Sequence, residues 1–363
     1  MTMTKDEALA APNSSEARLA AAASAAAADA PSDFSAMMRE KLLTRQAAMT
    51  VVAVLLFAYF SVTANNFFSW SNILDIIRGT SFIGIVAVAW TYLLIVGELD
   101  LSVGSLYGLG TIVMSWMIGS FGLDPWLAAA VTFAFAGTVG LFNGVITVYV
   151  GVSAFVVTLG MLSLLRGLSF VISGGYPVPY PSGIQSSLFP LGGGVLFGIP
   201  AQAIWLFAIL LLGGLVLGRT KFGYWVYATG GNEFAAREMG IPTKRIKLMA
   251  FILVGLSCGL VAVLNGAWIK SANTTTGSGF EFQVIGAVLV GGAALTGGSG
   301  NIYGTFIGAF ILGVVTNGLV MAGFAPASSF LATGAIIIAA GMIDVVLRYY
   351  GAKATIWRQA KGR

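Results

Sequence analysis

A chain of 363 residues that is 57% hydrophobic and 9% charged, with a mean hydropathy of +0.89, carries more apolar surface than a soluble core needs, so its solvent is a bilayer. Zero histidines and a single cysteine, Cys258, remove intrachain disulfides, thiolate metal clusters, the commonest general base and the commonest metal ligand. The net charge of +5 is spread beside apolar segments and forms no patch, which argues for lipid as a partner and against nucleic acid.

Residues 1–32 are Ala-rich and polar, with acids at Asp6, Glu7 and Glu16 and only alanine for an apolar core. That is not the basic leader and Leu-like stretch of a signal peptide, and it reads as a disordered cytoplasmic tail. From Phe34 to Arg45, Met37, Met38, Leu42 and Leu43 alternate with Arg39, Lys41 and Arg45, the spacing of a helix lying on the inner leaflet. Residues 1–45 are therefore an N-terminal tail with an interfacial amphipathic segment.

Residues 46–349 read as an all-α polytopic membrane domain. Ten apolar segments of roughly spanning length fall at 47–66, 80–97, 101–119, 125–149, 153–173, 200–218, 246–268, 282–297, 302–322 and 328–348. The close spacing around 97–101 and 297–302 also suits a broken or re-entrant helix, and eight spans with two re-entrant segments satisfy the same charges. With both termini cytoplasmic, the loop 219–246 and the basic tail 350–363 face the cytoplasm. All Lys and Arg except Arg78, Arg166 and Lys270 then lie at the inner face, as the positive-inside rule requires. The outer loop 174–199 has no Lys or Arg, and Trp116, Trp126 and Trp268 fall at outer ends, where indoles favour the headgroup zone.

A faint internal echo suggests duplicated halves. Gly97-Glu98-Leu99-Asp100-Leu101-Ser102-Val103-Gly104-Ser105 aligns with Gly291-Gly292-Ala293-Ala294-Leu295-Thr296-Gly297-Gly298-Ser299 at Gly97, Leu101, Gly104 and Ser105. Transporters built from repeats often place such Gly-broken helices around a central path.

Glu98 and Asp100 sit between two apolar spans, where an acid is costly and is normally functional or paired. Asp100 also suits an N-cap of the next span, with Ser102 helping; Glu98 suits either a pathway or the interface. Arg166 lies deep in its span with no obvious sequence partner, which implies an ion pair or a substrate contact. Asn143 and Asn317 are interhelical glue or solute contacts. A path for a neutral polyol needs hydroxyl-pairing side chains, and Ser102, Ser105, Asn143, Thr158 and Asn317 are of that type. No Gly-x4-Gly-Lys-Ser/Thr phosphate loop exists, because the glycine-rich run 297–304 has no lysine; the chain lacks the usual means of hydrolysing ATP. No catalytic constellation and no metal site is read from it.

The stretch 97–105 resembles the Gly-Gly-Ile-Asp-Leu-Ser-Val-Gly-Ser motif of the monosaccharide ABC importer permeases, the ribose, xylose and arabinose permease family. Phe155-Val156-Val157-Thr158-Leu159-Gly160-Met161, Gly230-Gly231-Asn232-Glu233-Phe234-Ala235-Ala236-Arg237 with Gly240-Ile241, and Gly291 through Gly308 also resemble it, in the family's order. Glu98 stands where the family usually has glycine. The resemblance covers roughly residues 70–350. It implies a transport subunit that is not itself an enzyme. A second permease copy, a cytoplasmic ATP-binding cassette subunit that uses ATP and Mg, and a periplasmic solute-binding protein would complete the importer, in the inner membrane of a bacterium. It also implies a coupling helix, to which Asn232, Glu233, Ala235, Ala236, Arg237 and Gly240 correspond. The expected cargo is a small sugar or polyol; related permeases carry nucleosides or branched-chain amino acids. A secondary transporter using Glu98 and Asp100 as ion-coupling acids, and a non-transporting scaffold, are the alternatives.

Overall fold

A backbone that meets no water must satisfy its hydrogen bonds internally, and apolar segments of this length do so as helices. The computed structural model describes residues 45–342; the expected N-terminal tail with its amphipathic stretch, and the basic tail, lie outside them. Helices α1 (Arg45–Thr63), α2 (Trp70–Ile95), α3 (Val103–Phe121), α4 (Pro125–Val145, prolonged by a wider turn over Ile146–Val150) and α5 (Ala154–Ser173) come first. An outer segment follows, with β1 (Val178–Pro179), α6 (Leu188–Gly193), β2 (Val195–Leu196) and β3 (Ile199–Pro200). Next are α7 (Ala201–Arg219), α8 (Lys221–Gly231), α9 (Glu233–Glu238) and α10 (Thr243–Ile269). Then come β4 (Ser271–Ala272), α11 (Phe280–Val290), α12 (Ile302–Met321) and α13 (Ser328–Met342). The outer segment is tied down where β1 pairs antiparallel with β4, Val178 opposite Ala272.

Among the described residues eight helices are long and apolar enough to cross a membrane, with α11 and α13 shorter. The chain is an all-α polytopic membrane protein, but the ten full spans are not all present. The expected span at 282–297 is α11, whose 11 residues rise about 16 Å against the roughly 30 Å of hydrocarbon. Gly292, Gly297 and Gly298 take φ of 95°, 81° and 77°, a left-handed backbone that ends the helix. The Asn301 side chain then accepts from the Gly304 N–H at 2.7 Å and starts α12. The expected span at 80–97 begins ten residues earlier, at Trp70, under a cap from Ser69 to the Asn72 N–H.

Small residues let these helices approach closely. Gly140-x3-Gly144 of α4 faces Gly255-x3-Gly259 of α10: a Cβ at Gly140 would lie 2.5 Å from the Phe251 carbonyl oxygen. Gly304 and Gly308 of α12 likewise press on the Gly291 and Ala287 carbonyls at the end of α11. The core runs along α2, which buries an almost unbroken stretch from Thr80 to Ile95 against α10, α11 and α12. Trp116, Trp126 and Trp268 are exposed at the expected outer ends.

Candidate functional site

After α2 the chain folds back on itself. The Trp90 indole N–H donates to the Asp100 carbonyl at 2.9 Å, so α3 starts level with a residue well inside α2. Asp100, Ser102 and Asn143 are brought together there. Asp100 Oδ1 accepts from the Ser102 N–H at 2.7 Å and from its hydroxyl at 2.6 Å. Asn143 Nδ2 donates to Asp100 Oδ2 at 3.2 Å and to Ser102 Oγ at 3.1 Å. All three residues are buried, none more than 1% exposed. Asp100 does not occupy the N-cap itself, which is Ser102 without a side-chain cap bond; it closes a turn two residues earlier. The cluster clamps the α2–α3 connection to α4.

Asn143→Leu would therefore strip Asp100 Oδ2 of its bond from α4. Leaving a buried polar group unpaired costs about 1–3 kcal/mol, so thermal unfolding in detergent should begin several degrees lower, with Asn143→Asp worse than Asn143→Leu. Unchanged melting in both variants would sink the clamp.

Ser105 and Thr158 are fully buried, and Thr158 Oγ1 donates to the Ala154 carbonyl of its own helix at 2.8 Å. Among the described residues Arg166 has no carboxylate within ion-pair distance. Its Nη1 donates to the carbonyls of Thr274 and Thr276, at 3.0 and 2.9 Å, with the charge of Glu281 nearby. Asn317 stands apart from these, in the wall of a cavity between α2, α3, α11 and α12.

Glu98 joins a different group, at the end of the bundle expected to face the cytoplasm. Lys247 Nζ lies 2.8 Å from Glu98 Oε1 and 2.8 Å from Glu233 Oε2, bridging the α2–α3 turn, the start of α10 and the short helix α9. Arg237 pairs with Glu233 at 2.8 Å along α9. Burial pushes the Glu233 carboxyl up, but Lys247 and Arg237 together hold it below the ordinary carboxylate range. The Asn232 side chain caps α9 by accepting from the Ala235 N–H at 3.0 Å. Gly240 ends the segment with φ 80°, where a side chain is strained even though space is open around it. Of the small residues matched to a coupling helix, Ala235 and Gly240 are exposed and Ala236 is buried. Phe234 on α9 and Met239 just after it, 75% and 81% exposed, add apolar surface beside the exposed Arg237 and Glu238.

The preceding helix α8 is anchored as firmly. Tyr227 donates its hydroxyl to the Gly300 carbonyl at 2.7 Å. At Gly230, α8 packs so closely on the Ile95 carbonyl and the Gly298 N–H that no Cβ fits. The Gly298 N–H in turn donates to the Ile95 carbonyl at 2.8 Å, so the two stretches of the internal echo adjoin one another beside α8. Lys247 was not legible as part of a site. It was one basic residue among six between Arg219 and Lys247, and the signal that could have found it was the extra acid at Glu98, which needed a cation.

No solved structure matches the chain. Among curated proteins it is 36% identical over 304 residues to the ribose import permease protein RbsC of Escherichia coli (strain K12), covering 83% of this chain and 94% of the relative. It is 33% identical over 284 residues to RbsC of Bacillus subtilis (strain 168), covering 78% and 88%. Against the L-arabinose transport system permease protein AraH of Escherichia coli (strain K12), the identity is 33% over 301 residues, covering 82% and 90%. Residues 72–341 match the family model for branched-chain amino acid transport system / permease component. With eight membrane-capable helices, a match across most of its length and similarity to permeases that covers nearly their whole sequences, the chain belongs to this permease family, as a multi-pass transport subunit of the inner membrane.

Proposed function

We propose that this chain forms the membrane path of an importer for a small sugar. A cytoplasmic ATPase subunit would bind and hydrolyse ATP with Mg, an outer binding protein would deliver the solute, and a second permease copy would complete the path. The relatives named for ribose and arabinose support the choice of cargo. The coupling reading rests on one observation: α8 and α9 are fastened to the membrane helices. Glu233 is held through Lys247 to Glu98, while Gly230 and Tyr227 hold α8 to the α2–α3 and α11–α12 connections. A push on the exposed face of α9 is then delivered to both glycine-rich turns at once. Helices packed through Gly-x3-Gly faces can slide when these turns move.

The test is co-expression with candidate ATPase and binding-protein partners, followed by purification in mild detergent and reconstitution in liposomes. Ribose or arabinose should accumulate only with ATP and with all components present. Uptake driven by a proton or sodium gradient alone, with no ATPase retained, would overturn this reading in favour of secondary transport.

A further inference from the structure

We infer that the cavity between α2, α3, α11 and α12 is a solute-contact site within the membrane domain, built for a small neutral polyol such as a monosaccharide. The inference rests on the cargo reading above and places it on particular side chains. The cavity measures about 390 Å³, within the range of about 300–1,000 Å³ typical of small-molecule sites. One wall is aromatic: Tyr107 and Phe280, almost completely buried, have ring centroids 5.0 Å apart and offer an apolar face for the C–H side of a sugar ring. The polar groups of the lining can pair hydroxyls: Asp75, Gln283, Thr316 and Asn317. The described lining holds no Lys or Arg, and Arg78, three residues from Asp75, is bound to it at 2.8 Å.

Asn317 is the strongest element. Asn72 Nδ2 donates to the Phe67 carbonyl at 2.8 Å, and Asn317 Nδ2 donates to Asn72 Oδ1 at 2.9 Å. This chain of amides fixes the Asn317 side chain, yet its Oδ1 is buried with no hydrogen-bond partner. A buried acceptor left unpaired is costly; this oxygen is sealed by its neighbours, so a solute hydroxyl would pair with it only through a small shift of the cavity wall that uncovers it. Thr316 spends its proton on the Leu312 carbonyl, so its oxygen too is left as an acceptor.

Three other cavities among the described residues do not share this chemistry. The crevice between α2, α4, α7 and α10, about 240 Å³, is lined by Ile85, Val88, Phe133 and leucines. Its hydroxyls are already engaged, Tyr92 with the Gly213 carbonyl and Ser257 with the Val254 carbonyl; a hydrocarbon chain suits it and a polyol does not. The larger hollows near Lys270 and near Pro177–Pro181 lie on the outer loops, not among the spanning helices.

The test is cysteine protection in the complete complex. Cys258 is fully buried, so a small polar maleimide reports on an introduced thiol. Gln283→Cys and Thr316→Cys should label about fivefold more slowly in excess ribose or arabinose, as expected when sugar occupies the site at several times its dissociation constant. Excess leucine should leave labelling unchanged. Phe197→Cys, on a residue 100% exposed on the outer hairpin, should label at one rate in every condition. Sugar-independent labelling at both cavity positions, in a complex whose wild-type form accumulates sugar, would overturn the site. Wild-type complexes that accumulate neither sugar would instead overturn the cargo reading, and leucine protection at the cavity would assign the site to an amino acid.

Discussion

Lys247→Glu is expected to lower ATP-driven uptake at least tenfold while the chain still inserts and still binds its ATPase. Lys247 and Glu98 are only 14% and 16% exposed as side chains, at 2.8 Å. Removing one partner of a buried pair costs about 3–5 kcal/mol, and this pair is nearly that sheltered. The reversal does more, because it sets a third carboxyl between Glu98 and Glu233. Like charges about 4 Å apart repel by about 4 kcal/mol at an effective dielectric near 20. The three side chains would splay, releasing α9 from α10 and from the α2–α3 turn. ATP hydrolysis by the partner should persist but cease to drive uptake.

Adding Glu98→Lys to Lys247→Glu re-forms the inner pair with its charges exchanged and should recover part of the uptake. Recovery should stay incomplete because Glu233 still faces a like charge. The measurement is uptake per ATP hydrolysed in liposomes. A single variant at wild-type coupling, or a double variant no better than the single, would mean that this bridge transmits nothing. Acid has a defined effect on the outer bond. Glu233 is held below the ordinary carboxylate range, so its contribution is complete above about pH 4.3, the unperturbed glutamate value. It is lost only as pH falls through the depressed value in the folded state. Coupling should therefore not change from this group between neutral pH and about pH 5.

Gly308→Leu is expected to leave no folded permease. A Cβ at Gly308 would fall within van der Waals distance of the Ala287 carbonyl, and one at neighbouring Gly304 would meet the Gly291 carbonyl. Both obstacles are backbone, which cannot rotate away as a side chain could. Overpacking by single methylenes costs about 1–3 kcal/mol; forcing α11 and α12 apart also opens the buried face of α11, from Phe280 to Val290. Gly308→Ala should be recovered in reduced yield with a lowered melting temperature. Gly214→Ala, where nothing lies within 4 Å of the added carbon, should be neutral or slightly stabilising because alanine is the better helix former. Fluorescence-detected size exclusion after heating ranks the three. Equal yields of Gly308→Leu and Gly214→Ala would show that the α11–α12 contact is looser than drawn.

Several elements were readable before folding. The long spans at 101–119, 125–149, 153–173 and 302–322 lie within a few residues of α3, α4, α5 and α12, because about 20 apolar residues have few other ways to satisfy their backbone in lipid. The segment at 282–297 failed for a local reason: hydropathy cannot register that three glycines adopt left-handed φ and end the helix. Site residues divided along similar lines. Asp100 and Glu98 are separated by one residue, yet one is sealed beside Asn143 and the other reaches Lys247 across 149 positions of sequence. Asn317, among the hydroxyl-pairing candidates, borders the cavity between α2, α3, α11 and α12. Tyr107, Phe280 and Gln283 beside it carry no pattern that distinguishes them from packing residues.

The sequence by itself determined the solvent, the helical class and the family, since each depends on composition or on residues adjacent along the chain. Tertiary structure alone decided which acids are spent on structure, what Lys247 bridges and where a cavity opens. Those outcomes depend on which distant residues come within hydrogen-bonding reach of one another. Close Gly-to-backbone packing between helices settles that, and the spacing of residues along any one helix does not.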